Sequence, residues 1–310
     1  MKKILITGGA GFIGSHLCEY FLKNGFFVTC IDNLSSGFEN NIKDYTKNKN
    51  FEFYNFDITN KLSIDNDFDY VLNFACPASP KYYTNYPLQT AFASIYGIKN
   101  VLDFCKKNNS ILLHASTSEI YGDPLEHPQN ESYFGNVNTI GPRSCYDEGK
   151  RVAEMLIYEY EKNYNMNCKI IRIFNTYGPN MDSNDGRVVS NFINQALSNE
   201  DITIHGDGTQ TRSFCYIDDL ISGIVSYLHM DERFLGPINL GNPNEFNMID
   251  LAKIIIDITN SKSELVFKPL PQNDPMKRKP DISLAQEKLN FSINVSIEEG
   301  IQKTVEYFRR

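Results

Sequence analysis

The sequence has no CxxC pair, no histidine cluster at metal-ligand spacing, no long apolar run and no surplus of positive charge. Its seven cysteines, Cys18, Cys30, Cys76, Cys105, Cys145, Cys168 and Cys215, are odd in number and scattered. That pattern excludes a disulfide framework and a structural zinc site, so no metal is expected, and a reducing cytoplasm fits best. No stretch approaches the roughly 18 apolar residues of a membrane span. Met1-Lys2-Lys3 imitates the start of a signal peptide, but the apolar run behind it breaks at Gly8-Gly9. With 30 Lys plus Arg against 38 Asp plus Glu, the formal charge is −8, which argues against general binding to nucleic acid or to a membrane surface. Net charge says nothing of a local pocket. No internal repeat or low-complexity tract is present.

What remains is ordinary globular composition, with 41% hydrophobic and 22% charged residues over 310 positions, enough for about two domains. The first half alternates strand-like runs (Lys3–Thr7, Phe27–Asp32, Phe51–Asp57, Tyr70–Ala75, Ile111–Ser116, Lys169–Phe174) with helix-like stretches (Ile13–Asn24, Leu88–Asn108, Tyr146–Asn163). Alternation of this kind predicts an α/β fold, a doubly wound parallel Rossmann sheet with helices on both faces. After Gly178 the rhythm gives way to loops, isolated helices and short strands, with Pro243, Pro269, Pro271 and Pro275 among the breaks. That region reads as a smaller α+β lobe that binds substrate. The expected division is 1–177 with 211–235 for the nucleotide-binding domain, and 178–210 with 236–310 for the lobe. Asp218–His229 has the apolar spacing of a helix that returns to the first domain, and Ser296-Ile297-Glu298-Glu299 has capping-box spacing.

Thr7-Gly8-Gly9-Ala10-Gly11-Phe12-Ile13-Gly14 follows the first strand and opens the first helix. Gly8 suits a tight turn, Gly11 lets the backbone approach a pyrophosphate, and Gly14 permits close helix–strand packing. The helix N-terminus adds N–H groups and its dipole. Asp32, 18 residues beyond Gly14, is placed to accept from the adenosine ribose hydroxyls and to repel a 2′-phosphate. With Asn33 next to it rather than Arg, NAD is favoured over NADP. Asp57 reads equally as an adenine-side contact or a helix N-cap.

Tyr146 and Lys150 stand at i,i+4 on one helix face. A phenol near its usual pKa of about 10 is a poor base at neutral pH. A fixed ammonium and a positive nicotinamide ring favour the phenolate, which then removes a proton from a sugar hydroxyl. Thr117 at the end of the preceding strand is placed to hydrogen-bond that hydroxyl, and Glu119 supplies a carboxylate. Ser118 is either a catalytic group or a satisfied turn hydroxyl. Together, the loop and the Tyr/Lys pair resemble the extended short-chain dehydrogenase/reductase superfamily, which implies nucleotide-sugar chemistry.

The resemblance narrows with Ala75-Cys76-Pro77-Ala78-Ser79-Pro80, Ser116-Thr117-Ser118-Glu119-Ile120-Tyr121-Gly122-Asp123-Pro124 and Gly141-Pro142-Arg143-Ser144-Cys145-Tyr146-Asp147-Glu148-Gly149-Lys150-Arg151. It continues through Asp185-Gly186-Arg187-Val188-Val189, Gln210-Thr211-Arg212-Ser213-Phe214 and Arg278-Lys279-Pro280-Asp281-Ile282. These segments, spread over essentially the whole chain, resemble the UDP-glucuronate decarboxylase family. The resemblance implies a redox-neutral conversion of UDP-glucuronate to UDP-xylose through a 4-keto sugar. In it Tyr146 deprotonates the C4 hydroxyl as hydride passes to NAD, and the resulting β-keto acid loses CO2. Arg278 matches the family's arginine near the decarboxylating centre, Glu119 its acidic partner, and Thr117 and Ser118 its hydroxyl pair. The implied cofactor set also takes in Phe12, Ile13, Ile58 and Ala75, and the substrate set Ser79, Asn175, Val188 and Tyr216. A homodimer joined through a four-helix bundle is implied as well.

Arg187 and Arg212, isolated arginines in motif loops, are the candidates for pairing the UDP diphosphate, since planar bidentate recognition favours Arg. Lys277-Arg278-Lys279 would otherwise read as a solvated basic run. Arg172, inside a strand, is expected to have a structural partner. Phe92, Ser94 and Asn180 depart from the family's usual Lys, Asn and Arg, which leaves room for a different sugar. Among rivals, 4,6-dehydratases usually carry Asp where Ser118 stands, and 4-epimerases a small residue where Glu119 stands. A scaffold that merely binds NAD would have little reason to keep Tyr146, Lys150 and Glu119 in register.

Overall fold

Short runs of apolar and β-branched residues form six consecutive strands of one sheet. They are β1 (Lys3–Thr7), β2 (Phe27–Asp32), β3 (Phe51–Asn55), β4 (Tyr70–Asn73), β5 (Ile111–Thr117) and β6 (Cys168–Ile173). A seventh strand, Ile238–Leu240, pairs with β6. From that edge the order is β6, β5, β4, β1, β2, β3, and every pairing is parallel. The computed structural model describes residues 1–269 and 277–310, so Pro271 and Pro275 lie outside the described residues.

Side-chain alternation buries both faces, as a parallel sheet requires. Ile4 and Ile6 join the core beneath the helices Phe12–Lys23 and Ile217–Leu228, while Leu5 joins the opposite core beneath Ile98–Asn108 and Ser144–Tyr164. The chain order reverses between β1 and β4. A crevice opens there at the carboxyl ends of the strands, where ligands bind in such sheets.

Strands β3 and β4 end two residues earlier than the periodicity suggests. Their continuations, Asp57 and Ala75, leave the ladder to line that crevice. The stretch expected as one helix over Leu88–Asn108 is divided into Pro87–Phe92, a π-helical turn Ala93–Gly97 and Ile98–Asn108. At this turn Gly97 packs against the Ile58 side chain, and Ser94 against Gly149 of the neighbouring helix and Cys76. Single π turns of this kind occur inside helices where packing re-aims a face.

The smaller lobe packs Val188–Leu197, Met248–Thr259 and Ile297–Phe308 together. Its three-stranded sheet has Thr211–Ser213 in the middle, antiparallel to Glu245–Asn247 and parallel to Lys277–Arg278. Two short strands therefore cross the expected division. Thr211–Ser213 belongs to this small sheet and Ile238–Leu240 to the large one. The helix Ile217–Leu228 does return to pack on Phe12–Lys23, and Ser296 caps the final helix by accepting from Glu299 N. No helix among the described residues is long and apolar enough to cross a membrane.

Candidate active site

A cleft of about 1110 Å³ runs along the carboxyl edge of the sheet and is closed on the far side by the lobe. All the expected cofactor residues line it: Gly8, Gly11, Phe12, Ile13, Gly14, Asp32, Asn33, Asp57, Ile58, Ala75, Tyr146 and Lys150. So do Thr117, Ser118, Glu119, Arg278, Ser79, Asn175, Arg187, Val188 and Arg212. Tyr216 does not. Its buried ring packs on Tyr177 at 5.6 Å, at the start of the returning helix.

The glycine loop is built by close approach. Gly8 has φ +71°, and a Cβ there would lie 2.6 Å from the Phe74 backbone. A Cβ on Gly14 would lie 2.0 Å from the Gly8 carbonyl oxygen, so only glycine lets the helix start this near the turn. No side chain caps that helix, and no acidic residue occupies its first turn. The N-terminus is thus left to the cleft as an anion site. Asp32 accepts N–H groups from Ala10 at 3.0 Å and Leu34 at 2.8 Å, which aims its carboxylate along the cleft edge. Burial nevertheless holds Asp32 above its ordinary pKa, against these backbone hydrogen bonds. The cradle and the carboxylate fit an adenine dinucleotide. Asp57 has local partners, accepting from Thr59 N at 2.8 Å and from Asn33 Nδ2 at 3.0 Å. Burial raises its pKa, but these hydrogen bonds outweigh it and leave Asp57 below the ordinary value.

Deeper in the cleft, the helix Ser144–Tyr164 presents Tyr146 and Lys150 together. Lys150 Nζ donates to the Ala115 carbonyl at 2.7 Å and lies 5.9 Å from the centre of the Tyr146 ring. Tyr146 stacks on Tyr83, with centroids 5.3 Å apart and planes 12° from parallel. Thr117, at the tip of β5, lines the cleft with Tyr146 and accepts from Glu119 N at 3.2 Å. Burial, then the nearby Cys76 thiol, push the Tyr146 hydroxyl above the usual phenol range, with Thr117 opposing. Freeing it as a base therefore calls for positive charge beside the phenol.

Glu119 begins the next feature. Its carboxylate is gripped by Arg278, which donates through Nη1 to Oε1 and through Nη2 to Oε2 at 2.9 Å, and by Arg143, which donates to Oε2. Burial raises its pKa, but the charges of Arg278 and then Arg143 more than offset this and hold it low. Arg143 went unassigned in the sequence reading, although its motif contains it. The signal was its place three residues before Tyr146, one helical turn away on the same side of the cleft.

Arg187 precedes the helix Val188–Leu197 and pairs with Asp185 at 3.2 Å, while Ser79 donates to the Asp185 carbonyl at 2.8 Å. Ser79 thereby ties the β4 loop to the lobe. Arg212 is buried and donates to the Thr211 carbonyl at 2.9 Å. As expected, Arg172 has a structural partner: it forks onto Glu154 at 2.8 and 3.0 Å. Among the departures, Asn180 donates to Ser15 Oγ at 3.0 Å and lines the cleft beside the glycine loop, and Phe92 is exposed.

Residues 4–241 match the NAD dependent epimerase/dehydratase family. UDP-glucuronic acid decarboxylase 1 of Danio rerio is 47% identical over 309 residues, which span 100% of this chain and 73% of that protein. UDP-glucuronic acid decarboxylase 6 of Arabidopsis thaliana is 46% identical, with 99% of this chain and 89% of that one covered. Among solved structures, UDP-glucuronic acid 4-epimerase from Bacillus cereus, in complex with UDP-glucuronic acid and NAD, superimposes with a TM-score of 0.90 at 30% identity, covering 99% of each chain. UDP-glucose 4-epimerase of Thermotoga maritima, with UDP-glucose, gives 0.89 at 31% identity over 99% of this chain and 98% of that one. The chain belongs to the NAD dependent epimerase/dehydratase family and, within it, to the UDP-glucuronic acid decarboxylases.

Proposed function

We propose that this protein converts UDP-glucuronate to UDP-xylose and CO2 with NAD as its cofactor, without net oxidation. The observation that carries the reading is the pairing of Glu119 with Arg278 beside Tyr146 and Lys150. NAD would supply a reversible hydride acceptor for C4, so that the sugar would be a 4-ketone both before and after its carboxylate is lost and no net oxidation would result. The glycine loop and the N-terminus of Phe12–Lys23 hold its pyrophosphate, Asp32 its ribose, and Lys150 and Tyr146 lie at its reactive end.

Tyr146 takes the proton of the C4 hydroxyl, with Thr117 holding the shared hydrogen bond. Lys150, fixed by the Ala115 carbonyl, supplies the charge that stabilises the phenolate. The C5–C6 bond then breaks as CO2 leaves, and its electron pair passes into the C4 ketone as an enolate, which is protonated at C5. Arg278 and Glu119 hold the carboxylate end of the sugar, with Ser118 alongside. Arg187 and Arg212 pair the diphosphate, and Ser79, Asn175 and Val188 line the path between. On this reading 1–177 with the returning helix holds NAD and the lobe holds the nucleotide sugar. Incubation with UDP-glucuronate and NAD, followed by mass spectrometry of the nucleotide sugar, should yield UDP-pentose. A C4-inverted or dehydrated sugar of undiminished carbon count would overturn the assignment.

Leu88, Phe92 and Tyr96, spaced four apart, are exposed on one helical segment, and Met155 and Tyr158 on the helix packed beside it. Such apolar stripes on adjacent helices support a homodimer in which two copies complete a four-helix bundle. All seven cysteines are free, which supports a reducing, cytoplasmic setting.

A further inference from the structure

Asp147 stands behind the Glu119 cluster. Its Oδ2 is 3.8 Å from Nε of Arg143, the same guanidinium whose other end pairs with Glu119. Its Oδ1 is buried and has no hydrogen-bond partner among the described residues. A second cavity of about 240 Å³, lined by Asp147, Asn138, Gly141 and Asp123, also meets Arg143 and Glu119. Those last two line both cavities, whereas Asp147 lines only the second. Arg143 is therefore a bridge between a carboxylate facing the substrate and one that does not.

We propose that Asp147 is a positioning residue that, by binding or releasing one proton, sets the charge Arg143, Glu119 and Arg278 present to the substrate's carboxylate. A buried carboxylate with one bare oxygen and a shared cation is poorly compensated when ionised. Around it stand Glu148 on its own helix, Cys145 and Arg143 at the helix start, Glu119 on the turn after β5, Arg278 on the lobe strand, Tyr83 on the helix Pro80–Asn85, and Asp123 across the second cavity. Burial, and then the Glu119 charge, push Asp147 up to about 7, against the pull of Arg143 and Arg278.

With Asp147 protonated, two guanidinium groups face the single carboxylate of Glu119 and one positive charge is left for an incoming carboxylate. With Asp147 ionised, the two pairs balance and that attraction falls. Below neutrality the site thus discriminates for a uronate over the corresponding hexose, and above it the discrimination weakens.

This inference rests on the UDP-glucuronate reading, and the test separates the two. In the Tyr146→Phe background, where the chemistry is blocked, calorimetry on the NAD-loaded protein gives the affinities for UDP-glucuronate and UDP-glucose between pH 6 and pH 8.5. Neither sugar nor diphosphate titrates in that window, and taking the ratio cancels effects shared by both ligands. The ratio should favour the uronate by about tenfold more at the acid end than at the alkaline end, as one unit charge at several ångströms implies. Adding Asp147→Asn should flatten the profile at the acid-end preference. A flat profile with Asp147 present, or the same slope after Asp147→Asn, overturns the role of Asp147 alone. Failure to bind either sugar overturns the reading on which it rests.

Discussion

Arg212 and Arg278 are register partners on adjacent parallel strands, and both are buried at the floor of the cleft. In-register neighbours in a parallel pair project to the same face. One small sheet therefore delivers two cations side by side, and Arg278 is turned onto Glu119 from the opposite domain. If Arg278 meets the sugar end of the substrate and Arg212 its diphosphate, as proposed above, the spacing between the two is set by the backbone ladder rather than by flexible loops. That rigidity is what a site needs if a carboxylate is to be held while its bond to the ring breaks.

Arg278→His should separate the two halves of the reaction. Oxidation uses Tyr146, Thr117 and Lys150 and should proceed, while CO2 release should fall by about 10²-fold, the usual cost of losing one preorganised charge. Reduced cofactor should then build up and be visible by its absorbance near 340 nm, as expected of the nicotinamide. Unchanged CO2 release would remove Arg278 from the chemistry.

Gly14→Ala should disable cofactor binding without touching the catalytic helix. The added methyl meets the Gly8 carbonyl oxygen at 2.0 Å, so the loop must open. NAD affinity should fall about 10²-fold or more, roughly 2.7 kcal/mol, measured by titration calorimetry. Retention of full affinity would mean the loop is not the pyrophosphate site.

Glu119 makes acid stability a readout of the ion cluster. Its folded pKa lies below the ordinary value of 4.5, so its contribution is complete above that value and lost as pH falls through the lower, folded one. With Asp147→Asn as the common background, which removes the titration that Glu119 itself shifts near pH 7, thermal melts with Glu119 and with Glu119→Gln should differ by a constant amount from pH 8 down to about 5 and converge further below. A gap that widens on acidification would give the shift the opposite sign.

Tyr96→Glu together with Met155→Glu should leave the cleft intact and disperse any dimer. Light scattering after size exclusion should show the parent at twice the chain mass and the double variant at once. A parent that runs as a monomer at all concentrations would refute the bundle.

Much of this was legible because the relevant signals are local. The loop Gly8–Gly14 and the Tyr146/Lys150 spacing are read within one turn of chain, and β1 and β2 are found at the expected bounds. The π turn over Ala93–Gly97 was not legible, since it depends on Ile58 and Cys76 from elsewhere in the chain. Arg143 and Asp147 were inside a quoted motif yet had no assigned role. Their meaning comes from Glu119 and Arg278, the latter 135 positions beyond Arg143 in the chain. Tyr216 shows the converse, a motif neighbour whose ring packs on Tyr177 and does not line the cleft.

On the proposed mechanism a site holding Glu119 and Arg278 turns a C4 oxidation into loss of the sugar's carboxylate. The decisive measurement follows UDP-glucuronate labelled with ¹³C at the carboxyl carbon by NMR in the presence of the protein and NAD. The label should appear as carbon dioxide and bicarbonate in step with unlabelled UDP-xylose, with no lasting gain of reduced cofactor. Label that stays on the nucleotide sugar while C4 inverts would contradict that mechanism.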